Sequence, residues 1–232
     1  MKGKLSRILP LAIALICLGS AFLAVGCGSS SARYRFVQAA TGVPINVDLQ
    51  VGGKTVQSSV GYGQPATYHS SKSGSQNFKL FPPGATTNPY VDSSISLGSG
   101  DTTIIAENPL ATIALAPYKD DNTAPTTGNV KIRIIHAAPT AGNFDVYIVP
   151  HGGGIAGFNP QISNLSFGSA TNYLSLAASN YDVVMTAPAT QNILSSLLYN
   201  YTLTAGQIRT IIVLDASIGG GPWSQTILND LN

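Results

Sequence analysis

Histidine and glutamate are scarce in this chain of 232 residues, which limits the chemistry that it could perform. The histidines are His69, His136 and His151, and Glu107 is the single glutamate. Catalytic zinc sites need several such ligands close together, and the sequence contains neither G-x-S-x-G nor S-x-x-K. We therefore predict no metal site, no cofactor and no enzyme active site. Two alternatives stay open: a hydrolase with a dispersed Ser-His-Asp site around His136, and a carrier of a small ligand or metal.

His136 and Asp145 are the polar pair most suggestive of a site. They lie near the two ends of a short turn between predicted strands, so we expect their side chains to approach one another. One interpretation makes them a pair that binds a ligand or metal. The other, which we favour, makes them a hydrogen-bonded pair that orders the turn. A similar phrase earlier in the chain has Gln38 and Asn46 at the corresponding positions, which keep hydrogen bonding and lose charge.

Three further stretches have ordinary explanations that we favour. His151 precedes Gly152-Gly153-Gly154, but no Lys-Ser/Thr and no helix follow, so this is a hairpin end rather than a phosphate loop. Asp120-Asp121-Asn122 lacks the alternating ligands of a calcium loop and is predicted to be a solvated linker. Trp223 follows a glycine-rich turn. It is the aromatic residue expected to be exposed for a carbohydrate or peptide, or else a plug over the end of a domain.

The composition favours β-structure and argues against a nucleic-acid partner. Hydrophobic residues make up 44% of the chain and charged residues 9%, against roughly 25% charged in typical domains. Thr, Ser, Val, Ile and Tyr are common, and several of these suit pleated sheets. Three basic residues fall in a leader that we expect to be removed, which leaves nine basic against ten acidic residues. The remaining basic residues are scattered and form no stripe along the sequence.

The N-terminal segment is typical of a secretion signal. A basic start precedes an apolar run from Ile8 to Val25. Leu23–Cys27, LAVGC, resembles the lipobox of bacterial lipoproteins, with Ala24 where leucine is usual. The resemblance implies that residues 1–26 are removed and that Cys27 carries acyl chains such as palmitate, with residues 27–32 as a tether. Several acyl chains hold a protein firmly on a membrane, at ~0.8 kcal/mol per buried methylene. An uncleaved signal anchor and an ordinary secreted protein are the alternatives.

The rest of the chain predicts a duplicated domain. Four pairs of segments match in the same order: 35–40 with 133–138, 45–49 with 144–148, 62–68 with 167–173, and 97–105 with 203–212. A period near 100 residues indicates two domains rather than a short-repeat solenoid. We expect domains at 33–119 and 130–232, joined by a linker at 120–129.

Short alternating segments predict that both domains are all-β. Apolar residues alternate with charged ones in 130–134, and in 144–148 they alternate with Asp145 and Tyr147, as in half-buried strands. Further strands are predicted at 77–81, 94–97, 102–107, 112–116, 181–186, 198–203 and 209–214. This density fits a β-sandwich, so we expect two tandem antiparallel β-sandwiches, immunoglobulin- or transthyretin-like. Thr190–Leu198 is the best helix candidate.

The phrase VKIRIIHAAP at 130–139, followed by FDVYI at 144–148, resembles the opening of the DUF4397 family. These are bacterial envelope domains of unknown function, often found in lipoproteins and in tandem. The first copy departs from the pattern at Gln38, Thr41 and Asn46. The resemblance implies a sandwich-like β-domain, and it implies no activity.

Together these features predict a lipid-anchored protein of the cell envelope, at the outer membrane or cell surface. We expect a non-catalytic binding or structural module whose partners are the membrane, through Cys27, and an envelope polysaccharide or surface protein.

Overall fold

The computed structural model describes residues 31–43, 46–65 and 67–231, and this part of the chain is all-β. The strands of the first half are β1 Ser31–Gln38, β2 Val47–Val51, β3 Lys54–Val60, β4 His69–Lys72, β5 Gly74–Phe81, β6 Val91–Leu97, β7 Gly100–Glu107 and β8 Ala114–Lys119. Those of the second half are β9 Asn129–Ala137, β10 Phe144–Pro150, β11 Ile162–Leu165, β12 Leu174–Ala177, β13 Ser179–Thr186, β14 Ile193–Leu203, β15 Ile208–Leu214 and β16 Ser224–Leu231. Within these described ranges, no helix is long and apolar enough to cross a membrane.

The strands form four-stranded sheets whose order recurs along the chain. In the first half the orders are β4-β1-β7-β8 and β3-β2-β5-β6. In the second half they are β12-β9-β15-β16 and β11-β10-β13-β14, which is the same pattern with each strand number raised by eight. We call two residues matched when they lie in corresponding strands of the two halves and at the same position in the strand register. Arg35 and Arg133 are one such pair, since they lie opposite Thr103 and Thr210 in the register.

Two sheets are mixed, so the expectation of purely antiparallel sheets is wrong. β1 pairs with β7 in parallel, and β9 pairs with β15 in parallel. Between β1 and β7 the chain forms the other sheet of the same half and the edge strand β4, and it then enters β7 from the same end as β1. Alternation in a sequence reports which face a residue occupies and does not report strand direction.

The predicted helix at Thr190–Leu198 is also wrong. β14 begins at Ile193 and pairs with β13, where Val184 lies opposite Leu198. Leu197 is buried and Leu198 is exposed, which is the two-residue period of a strand. Pairing with a neighbouring strand outweighs the helix propensity of this leucine-rich segment. The other predicted strands overlap observed ones.

Apolar residues form three main clusters, one inside each half and one between the halves. The cluster inside the first half includes Phe36, Leu49, Phe78 and Ile104. The cluster inside the second half includes Ile134, Phe144, Val183 and Ile211. The third joins Val37 and Ile105 to Ile135 and Ile212. Strands β1, β7, β9 and β15 are therefore covered on both faces. One face of each packs inside its own half, and the other face packs against the other half instead of facing water.

Glu107 lies on the face of β7 that meets the second half, and its matched residue is Leu214. Thr103, Ile105 and Glu107 alternate along that face. The Glu107 carboxyl is buried, and Tyr118 donates a hydrogen bond to it over 2.5 Å. Burial raises the pKa of Glu107 to about 7, and the bond from Tyr118 opposes this only in part.

Glu107→Gln should therefore stabilise the protein above neutral pH. The folded chain retains the proton up to about pH 7, whereas the unfolded chain releases it near the ordinary pKa of 4.5. Protonated Glu107 makes its full contribution to the free energy of unfolding below pH 4.5. That contribution is lost as the pH rises to about 7, which lowers the free energy of unfolding by up to about 3 kcal/mol. Urea unfolding at several pH values should show that the stability of the variant increases relative to that of the natural chain over this pH range. Parallel pH profiles of stability would contradict the prediction. Asp92→Asn, at an exposed carboxylate, is the control.

Candidate functional site

A cluster of four charged side chains lies buried between the two halves. Arg35 donates from Nη2 to Asp230 Oδ1 over 2.6 Å, and Arg133 donates to Asp120. All four side chains are almost completely buried. Burial disfavours the charge on Arg35, but Asp230 and Asp120 outweigh that effect and raise its pKa. Each ion pair joins one half of the chain to the residue at or just beyond the last strand of the other.

Threonines satisfy the other donors of the two arginines in the same way. Arg35 Nε donates to Thr103 over 2.8 Å, and Arg133 Nε donates to Thr210 over 2.9 Å. The Nη1 atoms donate to matched backbone carbonyls, at 3.2 Å for Arg35 to Asn229 and 2.8 Å for Arg133 to Lys119.

Tyrosines complete the cluster on each side. Tyr68 donates to Asp120 over 2.5 Å, and its matched residue Tyr173 donates to Asp230 over 2.6 Å. The Arg35 guanidinium lies 4.8 Å from the centre of the Tyr68 ring, and Arg133 lies 4.9 Å from that of Tyr173. Burial is the main cause that raises the pKa of both tyrosines, so they stay protonated donors. The cluster has pseudo-two-fold symmetry, because each of these contacts occurs twice.

The position of Asp120 corrects the expectation of a solvated linker from 120 onward. Asp120 is buried in the cluster, and Asp121 beside it is 52% exposed and pairs with Lys131 over 2.7 Å. Two grooves of about 430 Å³ and 380 Å³ reach the cluster from its two sides, next to Tyr173 and Tyr68. Arg133 and Asp120 at the first groove already pair with one another.

His136 braces the turn that follows β9. Its Nε2 lies 2.7 Å from the carbonyl oxygen of Gly142, and its Nδ1 accepts from the backbone N–H of Ala138 over 3.2 Å. The ring is buried, with its centre 4.3 Å from that of Phe144. Burial lowers the pKa of His136, so the ring is neutral at pH 7. Both ring nitrogens are therefore occupied by backbone groups.

Gln38, the matched residue, does the same work without a titratable group. Its amide nitrogen donates to the carbonyl of Ala40 over 3.1 Å, and its amide oxygen accepts from the Ala40 N–H over 3.1 Å. The imidazole of His136 can titrate and the amide of Gln38 cannot, but both side chains accept a hydrogen bond from the backbone N–H two residues later.

Asp145 does not pair with His136, contrary to the expectation from sequence. Its two carboxylate oxygens accept from the backbone N–H groups of Asn164, over 2.7 Å, and Ala189, over 2.8 Å. Both of these residues have left-handed backbone conformations, with φ of 55° and 57°. One carboxylate thus holds a strand residue of β11 and a residue of the β13–β14 turn in a conformation that costs energy for residues other than glycine.

The residue matched to Asp145 is Asp48, and the proposed correspondence with Asn46 is wrong by two positions. Asp48 accepts from the N–H groups of Ser59 and Gly84, both over 2.8 Å, and both of those residues also have positive φ. A shift of two residues keeps every side chain on the same face of a strand, so alternation alone could not reveal it.

The other candidate residues from the sequence lie apart from the buried cluster of charged side chains. Trp223 is half-buried against the core of the second half and donates to the Thr140 hydroxyl over 3.2 Å. His151 pairs with Asp182 over 2.8 Å on the surface. Cys27 lies outside the described residues. Across the part of the chain that the structure describes, no three His, Cys, Asp or Glu side chains are grouped so as to hold a metal ion.

Sequence reasoning missed a pocket at one end of the second half. It has a volume of about 620 Å³ and lies between the β10–β11 connection, the start of β11 and the β13–β14 turn. Asp145 and Phe158 are among the residues that line it, and Phe158 is 41% exposed. The unusual length of the segment 151–161 is the signal that could have indicated it.

A model of the family described as "Domain of unknown function (DUF4397)" matches residues 32–147, half of the chain. The chain belongs to the DUF4397 family. The match begins in β1 and ends in β10, so it includes Gln38, Asp48, His136 and Asp145. The DUF4397 residues that the sequence singles out thus brace turns in this structure.

Comparison with other proteins adds little to the DUF4397 match. No curated protein sequence is significantly similar. Among solved structures, the Bacillus anthracis TIE protein is 11% identical with a TM-score of 0.25, covering 86% of this chain and 34% of that one. The product complex of the multi-modular glycogen-degrading pneumococcal virulence factor SpuA is 9% identical with a TM-score of 0.26, covering 80% of this chain and 21% of that one. The chain thus spans about a third and a fifth of these two proteins.

Asp230→Asn should destabilise the protein far more than Asp121→Asn. Removing the Asp230 charge leaves two buried arginines, Arg35 and Arg133, with Asp120 as their shared acidic partner, at a cost of about 3–5 kcal/mol. The Asp121 carboxylate is 52% exposed, and buried Lys131 keeps its bonds to the Asp121 and Thr123 carbonyls, so losing this charge should cost only about 1 kcal/mol. Urea unfolding of both variants measures the difference. Equal losses would show that the buried cluster does not hold the halves together.

His136→Gln should be tolerated in this DUF4397 protein, whereas His136→Ala should not. Glutamine at the matched position 38 already braces the turn, so His136→Gln should cost within about 1 kcal/mol. Alanine loses both hydrogen bonds and leaves a cavity beside Phe144, a loss of roughly 2–4 kcal/mol. Thermal unfolding distinguishes the two variants. Comparable losses would mean that the imidazole has a role that bracing does not explain.

Proposed function

We propose that this chain is a non-catalytic binding module of the bacterial cell envelope, anchored by lipid at Cys27. The observation that carries the proposal is how its buried polar groups are used. His136 and Asp145 hold backbone turns, and the arginines of the interface hold aspartates of the opposite half. An enzyme needs at least one such group directed at a substrate. These groups are directed at the protein itself.

The module is built from two tandem β-sandwich domains of immunoglobulin-like type in this proposal. Each half pairs two four-stranded sheets over its own apolar cluster, and the strand order of the first half recurs in the second. The contacts of the ion cluster are also repeated in matched pairs. A duplicated domain that retained its own interface accounts for both repetitions.

The role of His136 favours this proposal over a hydrolase. A general base must present a nitrogen to the nucleophile that it activates. Both nitrogens of His136 face backbone groups, and the ring is buried against Phe144. Activation of a serine by His136 would require the turn after β9 to open.

The position of the first strand supports anchoring close to a membrane. β1 begins at Ser31, four residues after Cys27. Four residues span at most about 14 Å. In the proposed mature protein, the first half would therefore lie near the lipid surface, and the second half would be tied to it through the buried interface.

Cys27→Ala should abolish fatty-acid labelling of the protein. With an alkyne fatty acid supplied to a bacterium that makes lipoproteins, the natural chain should incorporate label and partition into detergent. Mass spectrometry should place diacylglycerol on the sulfur of residue 27, since several chains are needed for firm anchoring.

Cys17→Ala is the matched control, because Cys17 is the other cysteine of the chain and lies in the expected leader. It should leave labelling unchanged. A mature protein with an unmodified thiol at Cys27, or label retained in Cys27→Ala, would contradict lipid anchoring.

A further inference from the structure

The two halves differ most at one connection, which lies in the sheet β3-β2-β5-β6 of the first half and in the sheet β11-β10-β13-β14 of the second. In the first half, β2 and β3 are joined by Gly52 and Gly53 alone. In the second half, the matched strands β10 and β11 are joined by residues 151–161. Loops on a rigid scaffold are where binding residues concentrate. The long connection is thus the part of the second half that the duplicated framework does not require.

The long connection folds back onto the sheet. Ile155 is buried on the outer face against Tyr147, Val149 and Val184, in a small apolar cluster of its own. Phe158 lies three residues further on and stays 41% exposed. The buried side chain holds the loop, and the exposed ring faces the pocket that the loop forms.

The other walls of the pocket are tied to the same framework. Gln191, in the β13–β14 turn, donates from its amide to the carbonyl of Ile155 over 3.2 Å. Asp145 joins that turn, at Ala189, to Asn164 in β11. The three segments around the pocket are therefore held together before any ligand binds, which reduces the entropy lost on binding.

The lining has the chemistry of a site for neutral, hydroxyl-rich molecules. Phe158 is the exposed aromatic ring of the lining, since Tyr147 is buried beneath Ile155. The amide and hydroxyl side chains are Asn159, Ser163, Asn164, Thr190 and Gln191, and the last three of these also bond within the protein. Its one charged residue is Asp145, whose carboxylate oxygens already accept backbone N–H groups. No lysine or arginine is among the residues that line it.

We propose that this pocket binds a neutral oligosaccharide. Sugar hydroxyls donate and accept hydrogen bonds, as amides and hydroxyls do, and the apolar C–H face of a sugar ring packs on an aromatic ring such as Phe158. The absence of a cation in the lining disfavours an anionic polysaccharide. A volume of about 620 Å³ lies within the usual range for ligand pockets. The inference rests on the proposed binding function and names its ligand and site.

Calorimetric titration of the chain from Gly28 onward tests the inference. The probes are neutral hexasaccharides of glucose and of N-acetylglucosamine in different linkages, with polygalacturonate as the anionic probe and a hydrophilic peptide as the third class. At least one neutral probe should bind. Phe158→Ala should weaken that binding by about tenfold or more, and Asn159→Ala should weaken it by a smaller factor.

Ile218→Ala is the matched control, because Ile218 is an apolar side chain that is 88% exposed and lies outside the pocket lining. It should leave the affinity unchanged. All three variants remove exposed side chains, so their unfolding temperatures should equal that of the natural chain.

Several outcomes would overturn the inference. These are binding that Phe158→Ala leaves unchanged, binding of polygalacturonate or the peptide alone, and no binding by any neutral probe. The second of these would keep the proposed binding module and reject its ligand. Labelling at Cys27 is measured independently, so failure of the envelope proposal is distinguishable from failure of the pocket.

Discussion

The pairing of Arg35 with Asp230 and of Arg133 with Asp120 is the constraint on which the arrangement of the two halves depends. Removing these charges from water costs several kcal/mol per ion, so the cluster contributes less to stability than its number of contacts suggests. Its contribution is geometric. The burial of apolar surface is favourable in many relative positions of the two halves, because the hydrophobic effect has no direction. A buried charge, in contrast, loses its partner when the halves shift by one residue. The third apolar cluster brings the halves together, and the ion cluster selects one relative position.

Buried polar side chains also hold the backbone near the ends of the strands. Gln38 and His136 brace the backbone after the first strand of each half, and Asp48 and Asp145 each hold two residues at positive φ, one in a strand and one in a turn. Turns fixed in this way become rigid platforms on which loop length can vary. The connection from β10 to β11 is where this chain uses that freedom, because a lengthened loop there alters neither the cores nor the interface.

The sequence predicts the all-β class, the family and most strands, because these depend on local alternation and on a short phrase around His136. It does not predict what lies opposite each face. Arg133 alternates with apolar residues as in a strand with one wet face, yet that face meets the other half. Asp120 has the surroundings of a linker and belongs to the cluster, because its partner Arg133 approaches only after folding. Residues 193–198 belong to strand β14 because β13 lies beside them.

The buried position of Asp120 also determines how the second half can move. A flexible linker lets two domains reorient freely, and small polar interfaces within a chain usually permit such motion. Here, rotation about the segment after β8 would separate Asp120 from Arg133 and expose four charges that are matched only in the closed arrangement. The halves should therefore move as one body. In the proposed envelope setting, the lipid would hold the first half near the membrane, and the pocket of the second half would keep a constant position relative to the first half.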